Sequence, residues 1–578
     1  MKVFLLRFLS LIVTLSLLTG CQKDTSDSFS ETTNATFKEF TNQLFLEEIT
    51  SNTLQMHYSI EDPAAFGIHD YKISLGNFSQ ETREASSTYL NETLTKVLSF
   101  DTSMLSLENQ LTHDILVDSL NSQLSLSKYD LYREPLSPSG GLHMELPILF
   151  AEYAFHREQD VKDYLKLIAL ADEYFDQLMT FEAEKSNNGL FMSSSMCQLI
   201  IDSCKDFLLN KEHHYLITSF ASRINDLNIS EQKKASYIRQ NNTILEKQLF
   251  PAYEKMILTL ETLKNTGKNS LGLFYFDKGK SYYEHLVYAE TGCSDSMDLL
   301  FRRIENQRLQ DLLVCSQLQE KVPDIASNCS NLEWNMKNPS VMLDQLQISI
   351  LEEFPEPPDC EYEINYVEPA LEEYLAPAFY IVAPMDHYTE NVIYINDGYI
   401  SSDIYAFTTL AHEGYPGHLY QTVMTYTYHL PRIRSILNYS GYVEGWATYT
   451  EMMAYGYAGL QEELASFLSH NQAAILSLYA SSDIGLHYYG WTLEELKEFW
   501  AGHGIVNEDA ILQISQHILS RPGNYLKYYV GYLEFLELKE YAKELFGTQY
   551  SDKQFHQAIL DIGPAPFSLL KEYLPKYY

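Results

Sequence analysis

Apolar side chains recur at three- and four-residue intervals from about residue 37 to about residue 350, and no other feature restricts the possible folds as strongly, because this is the period of a helix burying one face. Leu167, Leu170, Ala171, Tyr174, Leu178 and Phe181 follow it, with Gly189 beyond them as a stop. The segment from Met297 to about Gln319 behaves in the same way. Pro355, Pro357, Pro358, Pro369, Pro377 and Pro384 then break any long helix between 354 and 387, which marks a domain junction or the rim of a site. Next, in Asn391 to Ile400, Val392, Tyr394 and Asn396 alternate with Ile393 and Ile395 before an Asp-Gly turn, the best strand candidate in the chain. Helical patterning resumes near Ser402 and runs to the C-terminus, without an internal repeat. The reading is a mainly α chain with an N-terminal helical region over 37–350 and a catalytic region over 351–578.

The N-terminus reads as an export signal. Lys2 and Arg7 precede an apolar run from Phe8 to Leu18, followed by Leu18-Thr19-Gly20-Cys21. A membrane span needs ~20 apolar residues, more than this run supplies. A cysteine directly after the cut resembles the bacterial lipobox, so residues 1–20 are expected to be removed and Cys21 lipidated. Residues 21–36, rich in Ser, Thr and Asp, read as the lipidated cysteine and a flexible tether. The protein is thus expected outside the cytoplasm, held to the bacterial cell membrane by its lipid alone. Forty basic against 78 acidic residues leave a formal charge of −38, which would repel nucleic-acid phosphates. Export permits disulfides among Cys197, Cys204, Cys293, Cys315, Cys329 and Cys360, and spacing assigns none. On one helix Cys197 and Cys204 would lie ~10 Å apart, beyond bonding reach. The absence of C-x-x-C argues against a thiolate zinc site.

The chemistry concentrates in Thr408-Thr409-Leu410-Ala411-His412-Glu413-Gly414-Tyr415-Pro416-Gly417-His418, on a predicted helix after the strand candidate. In H-E-x-x-H two imidazoles four residues apart share a helix face and hold Zn2+, while the intervening Glu serves as general base. Here the second His comes six residues after the first. On an unbroken helix that separation rotates ~240°, so His412 and His418 would diverge. Pro416 and Gly417 permit a break that absorbs the two extra residues. Glu444, 26 residues past His418, can return on an antiparallel helix after a turn at Pro431 and complete the ligand set. Thr448 and Glu451, four and seven residues further on, share its face and can orient the ligands.

At these residues the chain resembles a bacterial domain-of-unknown-function family carrying the signature H-E-x-x-P-G-H and related to the gluzincin metallopeptidases. Glu444-Gly445-Trp446-Ala447 is similar to its E-G-W-A block; Arg521-Pro522-Gly523 with Tyr528 and Gly531, and Ile562-Gly563-Pro564-Ala565-Pro566, resemble its C-terminal elements. The resemblance implies a large multi-helix, gluzincin-like metallopeptidase fold, mainly α, with a small β-sheet beside the active site, and a zinc hydrolase whose substrates it leaves open. If Arg521 to Leu533 is helical, Arg521, Tyr525, Tyr528 and Tyr532 fall on one stripe. Tyr528 is then placed to stabilise an oxyanion, Arg521 or Lys527 to hold a peptide carboxylate, and Tyr525 and Tyr394 to contact substrate. The same stripe would also serve as an ordinary aromatic core face.

The expected reaction is peptide hydrolysis by a peptidase or carboxypeptidase-like enzyme, with Glu413 as base, Zn2+ as Lewis acid and the strand at 391–400 pairing with an extended peptide. Two other readings fit the tether, the acidity and the tyrosines: a peptide- or solute-binding lipoprotein with a structural metal or none, and a hydrolase of cell-wall peptides. Glu413 speaks against the first, because a structural zinc site needs no free carboxylate beside its ligands. Oligomeric state is not legible.

Overall fold

A computed structural model describes residues 30–578 apart from 331, 333, 335, 368–371, 373–375 and 399–402. The signal peptide and Cys21 lie outside these residues. Helix makes up 72% and strand 3%. Helix begins earlier than the tether reading expects, spanning residues 30–51. Asn34 pins this first turn by accepting from the Ser106 N–H at 2.7 Å and donating to Met104 O at 2.9 Å. Polar composition concealed it, because the first turn is held by hydrogen bonds to a distant loop rather than by an apolar stripe of its own.

The elements that matter below are α1 (Leu142–Glu152), α2 (Glu158–Asn187), α3 (Gly279–Thr291), α4 (Met297–Lys321), the strands β1 (Glu361–Tyr366), β2 (Ala378–Ile381) and β3 (Glu390–Ile395), then α5 (Asp403–Glu413), α6 (His418–Thr427), α7 (Ser440–Tyr457), α8 (Glu462–Ile484), α9 (Glu508–Ser520) and α10 (Asn524–Phe546). The apolar stripe read in α2 is buried: Leu167, Ala171, Leu178 and Phe181 are fully inaccessible. At its start the Asp160 carboxylate accepts the Arg157 N–H, and at its end the chain turns through Gly189 at φ +72°. Cys197 and Cys204 share the helix Ser194–Phe207, and all six described cysteines are free. No helix among the described residues is long and apolar enough to cross a membrane.

One apolar cluster joins Leu111, Ile115, Tyr283, Ile304 and Leu343 to Phe407, Leu410, Trp446, Tyr529 and Phe535. Residue 350 is therefore no boundary between cores; residues from both sides of it pack together. Within this cluster α7 and α10 approach closely because glycines face each other. A Cβ on Gly445 would lie 2.5 Å from Gly531 Cα, and one on Gly531 would lie 2.3 Å from Gly441 O. Any larger residue would push the two helices apart.

The three-stranded sheet has the order β1-β3-β2, with β3 parallel to β1 and antiparallel to β2. The strand read from 391–400 is present as Glu390–Ile395, but it is central. Its backbone is engaged on both sides, so it cannot take the peptide that a free edge would accept. Alternation revealed the strand; its neighbours are set by long-range pairing, which a local pattern does not contain.

Candidate metal centre

Helix α5 ends at Glu413 and α6 begins at His418, so the helix breaks where Pro416 and Gly417 predict. Within the break Gly417 N–H bonds to Ala411 O at 2.9 Å and Tyr420 N–H to Gly414 O at 3.1 Å. These six-residue spans absorb the two extra residues and bring His418 back to the side on which His412 lies. The Tyr415–Pro416 peptide is cis. A Cβ on Gly417 would stand 1.8 Å from His412 O, so only glycine fits. Fully buried Trp446 donates its indole N–H to Pro416 O at 2.8 Å. The E-G-W block thus has three tasks: Glu444 faces the histidines, Gly445 lets α10 approach, and Trp446 fixes the break.

The imidazoles of His412 and His418 have centroids 4.8 Å apart with planes at 85°. Glu444 Oε2 lies 3.7 Å from His412 Nε2 and 3.3 Å from His418 Nε2. Ligand atoms of a tetrahedral ion with ~2.1 Å bonds lie roughly 3.4 Å apart, so this donor set fits zinc in both kind and spacing. His412, Glu413 and His418 each offer an atom within 4.8 Å of the others, which puts Glu413 at the same centre. On its far side His412 Nδ1 lies 3.1 Å from Glu451 Oε2, the carboxylate-to-histidine support that metal-ligating imidazoles commonly have. Thr448 is buried, but its hydroxyl has no partner among the described residues and orients no ligand.

Burial opposes an imidazolium at His412, yet the bonds to Glu444 and Glu451 and the charge of Glu413 outweigh it and raise its pKa well above the usual histidine value. Burial likewise opposes ionisation of Glu444. The bonds from His412 and His418, with the charges of His418 and Lys527, overcome it and hold Glu444 well below the usual carboxylate range. Lys527 Nζ stands 3.4 Å from Glu444 Oε1, a contact beyond the substrate role that its place in the sequence implies. Glu413 differs: burial pushes its carboxyl up against the pull of His418, His412 and the Tyr380 N–H. That amide, in β2, donates to Glu413 Oε2 at 2.9 Å. A fixed carboxylate of raised pKa beside the ligand set is equipped to act as a general base.

Tyr528 is brought to the centre, its ring 6.3 Å from that of His412. Burial, then the charges of Glu444 and Glu413, push its pKa far up, so it stays a neutral donor. The stripe read from Arg521 to Tyr532 is not continuous. Arg521 ends α9, the chain turns at Gly523 with φ +80°, and α10 starts at Asn524. Asp483 Oδ1 accepts the Gly523 N–H at 3.0 Å and holds that turn. Tyr532 is a core residue, and Tyr525 packs on Tyr479 with centroids 4.8 Å apart. Tyr394 is turned elsewhere: its hydroxyl bonds to Glu152 at 2.7 Å and its ring stacks on Phe379.

The fold is shared with solved structures. A crystal structure of a protein described as a candidate lipoprotein from Colwellia psychrerythraea superposes with a TM-score of 0.83 at 17% identity, covering 94% of this chain and 99% of that one. A second, described as a candidate lipoprotein of unknown function from Shewanella oneidensis, gives a TM-score of 0.63 at 14% identity, covering 93% and 99%. No curated protein matches the chain. Residues 62–574 match the family described as bacterial protein of unknown function DUF885, and the chain belongs to that family.

Proposed function

We propose that this protein is a zinc-dependent peptide hydrolase, related to the gluzincins and carried outside the cytoplasm on a lipidated Cys21. One observation carries the proposal: His412, His418 and Glu444 converge at the spacing of a tetrahedral ion, with Glu413 at the same centre and turned to a backbone amide instead of to a ligand. The lipobox-like sequence, and the description of both structural neighbours as candidate lipoproteins, support the location. A bound Zn2+ would supply Lewis acidity toward a carbonyl oxygen and lower the pKa of a water. The chain's own groups do the rest. Glu413 takes a proton from the attacking water and passes it to the leaving amine, while Tyr528 donates its hydroxyl to the oxygen on which charge develops.

The substrate strand belongs on β2. Pro377 O accepts the Asn396 N–H on the β3 side, whereas the Tyr380 N–H points the other way, to Glu413. The outward edge of β2 therefore runs past the base, where an extended peptide can add to the sheet. The test is cleavage of peptides by purified protein, abolished by a chelator and restored by zinc. Tyr528→Phe should lower turnover by ~10²–10³ with little change in substrate affinity. A change confined to KM would move Tyr528 from oxyanion donor to binding residue, and peptide cleavage indifferent to chelation would contradict the proposal.

A further inference from the structure

Arg521, three residues before the start of α10 and seven before Tyr528, is a charged group that the proposed reaction leaves unused. Its guanidinium is solvent-accessible, donates from Nη1 to Ser139 O at 3.2 Å, and has no carboxylate within ion-pair distance among the described residues. A guanidinium offers five N–H donors, so most of this one's capacity is free. Burial raises the pKa of Tyr528, Tyr525, Glu145 and Glu290, and the positive charge of Arg521 opposes that rise at each of them.

The guanidinium is also held in place. Ser137 Oγ donates to Ser520 O at 3.0 Å, and the hydroxyls of Ser139 and Ser520 meet at 2.7 Å, so the loop before α1 is clasped to the end of α9 beside Arg521. Gly140 adopts φ +128°, and a Cβ there would lie 2.8 Å from Arg521 Nη1. Only glycine leaves room for the guanidinium. A loop nearly four hundred residues away in sequence thus positions one exposed cation. Lys527, six residues on, adds positive charge next to Tyr528, its Nζ 5.1 Å from the ring centroid. A Cβ on Gly140 would also lie 3.4 Å from Glu145 Oε1, and one on Gly523 3.7 Å from Glu290 Cγ, but neither carboxylate pairs with Arg521 within 4.0 Å among the described residues, which leaves the fork open to an external anion.

We propose that Arg521, positioned by the Ser137–Gly140 loop, anchors the free C-terminal carboxylate of the substrate, so that the protein is a carboxypeptidase. This rests on the hydrolase reading above. Planar, two-pronged donation from guanidinium to carboxylate is the contact such a site would use. In the reaction the water oxygen bonds to the last peptide carbonyl carbon, the C–N bond breaks, and the water proton passes through Glu413 to the departing nitrogen. The products are one free amino acid and a peptide one residue shorter.

The test uses zinc-loaded full chain with N-acetyl-Ala-Phe-Ala and the same peptide as its C-terminal amide. The free acid should be cleaved at its last bond with a kcat/KM about 100-fold above that of the amide. Arg521→Ala should lower the value for the acid by about 10- to 100-fold more than it lowers that for the amide, with the extra loss in KM, and Arg521→Lys should fall between. A second readout needs no turnover: the Glu413→Gln protein should bind the acid more tightly than the amide, and adding Arg521→Ala should erase that difference. Equal cleavage of acid and amide, or equal losses on both in Arg521→Ala, would overturn the carboxylate anchor and leave the hydrolase reading standing. Preference for unacetylated Ala-Phe-Ala over its N-acetyl form that disappears in Glu145→Gln would overturn it in favour of amine recognition. Cleavage of neither peptide, with neither bound, would overturn both readings.

Discussion

Glu413→Gln should leave zinc bound and lower turnover by ~10² or more. The amide matches the carboxylate in size, and its carbonyl oxygen can still accept the Tyr380 N–H that now bonds to Glu413 Oε2 at 2.9 Å, so the end of α5 has no reason to move. What disappears is the ability to accept a proton from water. Zinc content and melting temperature should therefore stay at wild-type values while kcat collapses on every peptide substrate. The opposite pattern is also informative. Glu413 offers an oxygen in the same 4.8 Å group as both histidines, so loss of the metal from this variant would make Glu413 a ligand and require another base.

Gly417→Ala should abolish the site by moving His418. The new Cβ would lie 1.8 Å from His412 O and 2.4 Å from Ala411 O, both backbone atoms that cannot step aside singly. The break between α5 and α6 has to open, and the Gly417-to-Ala411 hydrogen bond at 2.9 Å goes with it. Misplacing a ligand by about 1 Å can cost ~10² in rate, and forcing extra volume into packed backbone costs about 1–3 kcal/mol of stability. Zinc titration and thermal melting should show weaker metal binding and a lower melting temperature together. Gly456→Ala is the control, because a Cβ at Gly456 meets nothing within 4 Å and that glycine lies within helix α7. It should melt at or above the wild-type temperature with unchanged zinc affinity. A Gly417→Ala protein that binds zinc like wild type would contradict the role assigned to the break.

The parts of this arrangement that were legible in the sequence are those set by local rules. The period of α2 and α4 gave helices, and His412, Glu413 and His418 lie within one short segment whose Pro416 and Gly417 announce the break that makes them converge. Glu444 was reachable because a turn and one antiparallel helix suffice to return it. The misreadings follow from contacts made at long range. β3 read as an exposed strand, yet β1 and β2 flank it through pairings that a local alternation does not encode. Three- and four-residue spacing puts Arg521 on the helix of Tyr528 although Pro522 and Gly523 stand between them, and those two residues are the available signal that the helix starts later. Tyr394 was aromatic and near the motif in sequence, but its hydroxyl belongs to Glu152 on α1. The clasp of Ser137 and Ser139 on Ser520 had no local signal at all, since neither segment carries a pattern that names the other.

The central claim is that His412, His418 and Glu444 hold a metal ion, and metal analysis of the purified protein tests it most directly. Wild-type protein should contain close to one equivalent of zinc, and His412→Ala and His418→Ala should each contain almost none while keeping the helical content of the parent. A folded wild-type protein that takes up no zinc when it is supplied, or histidine variants that carry as much as the parent, would contradict the account.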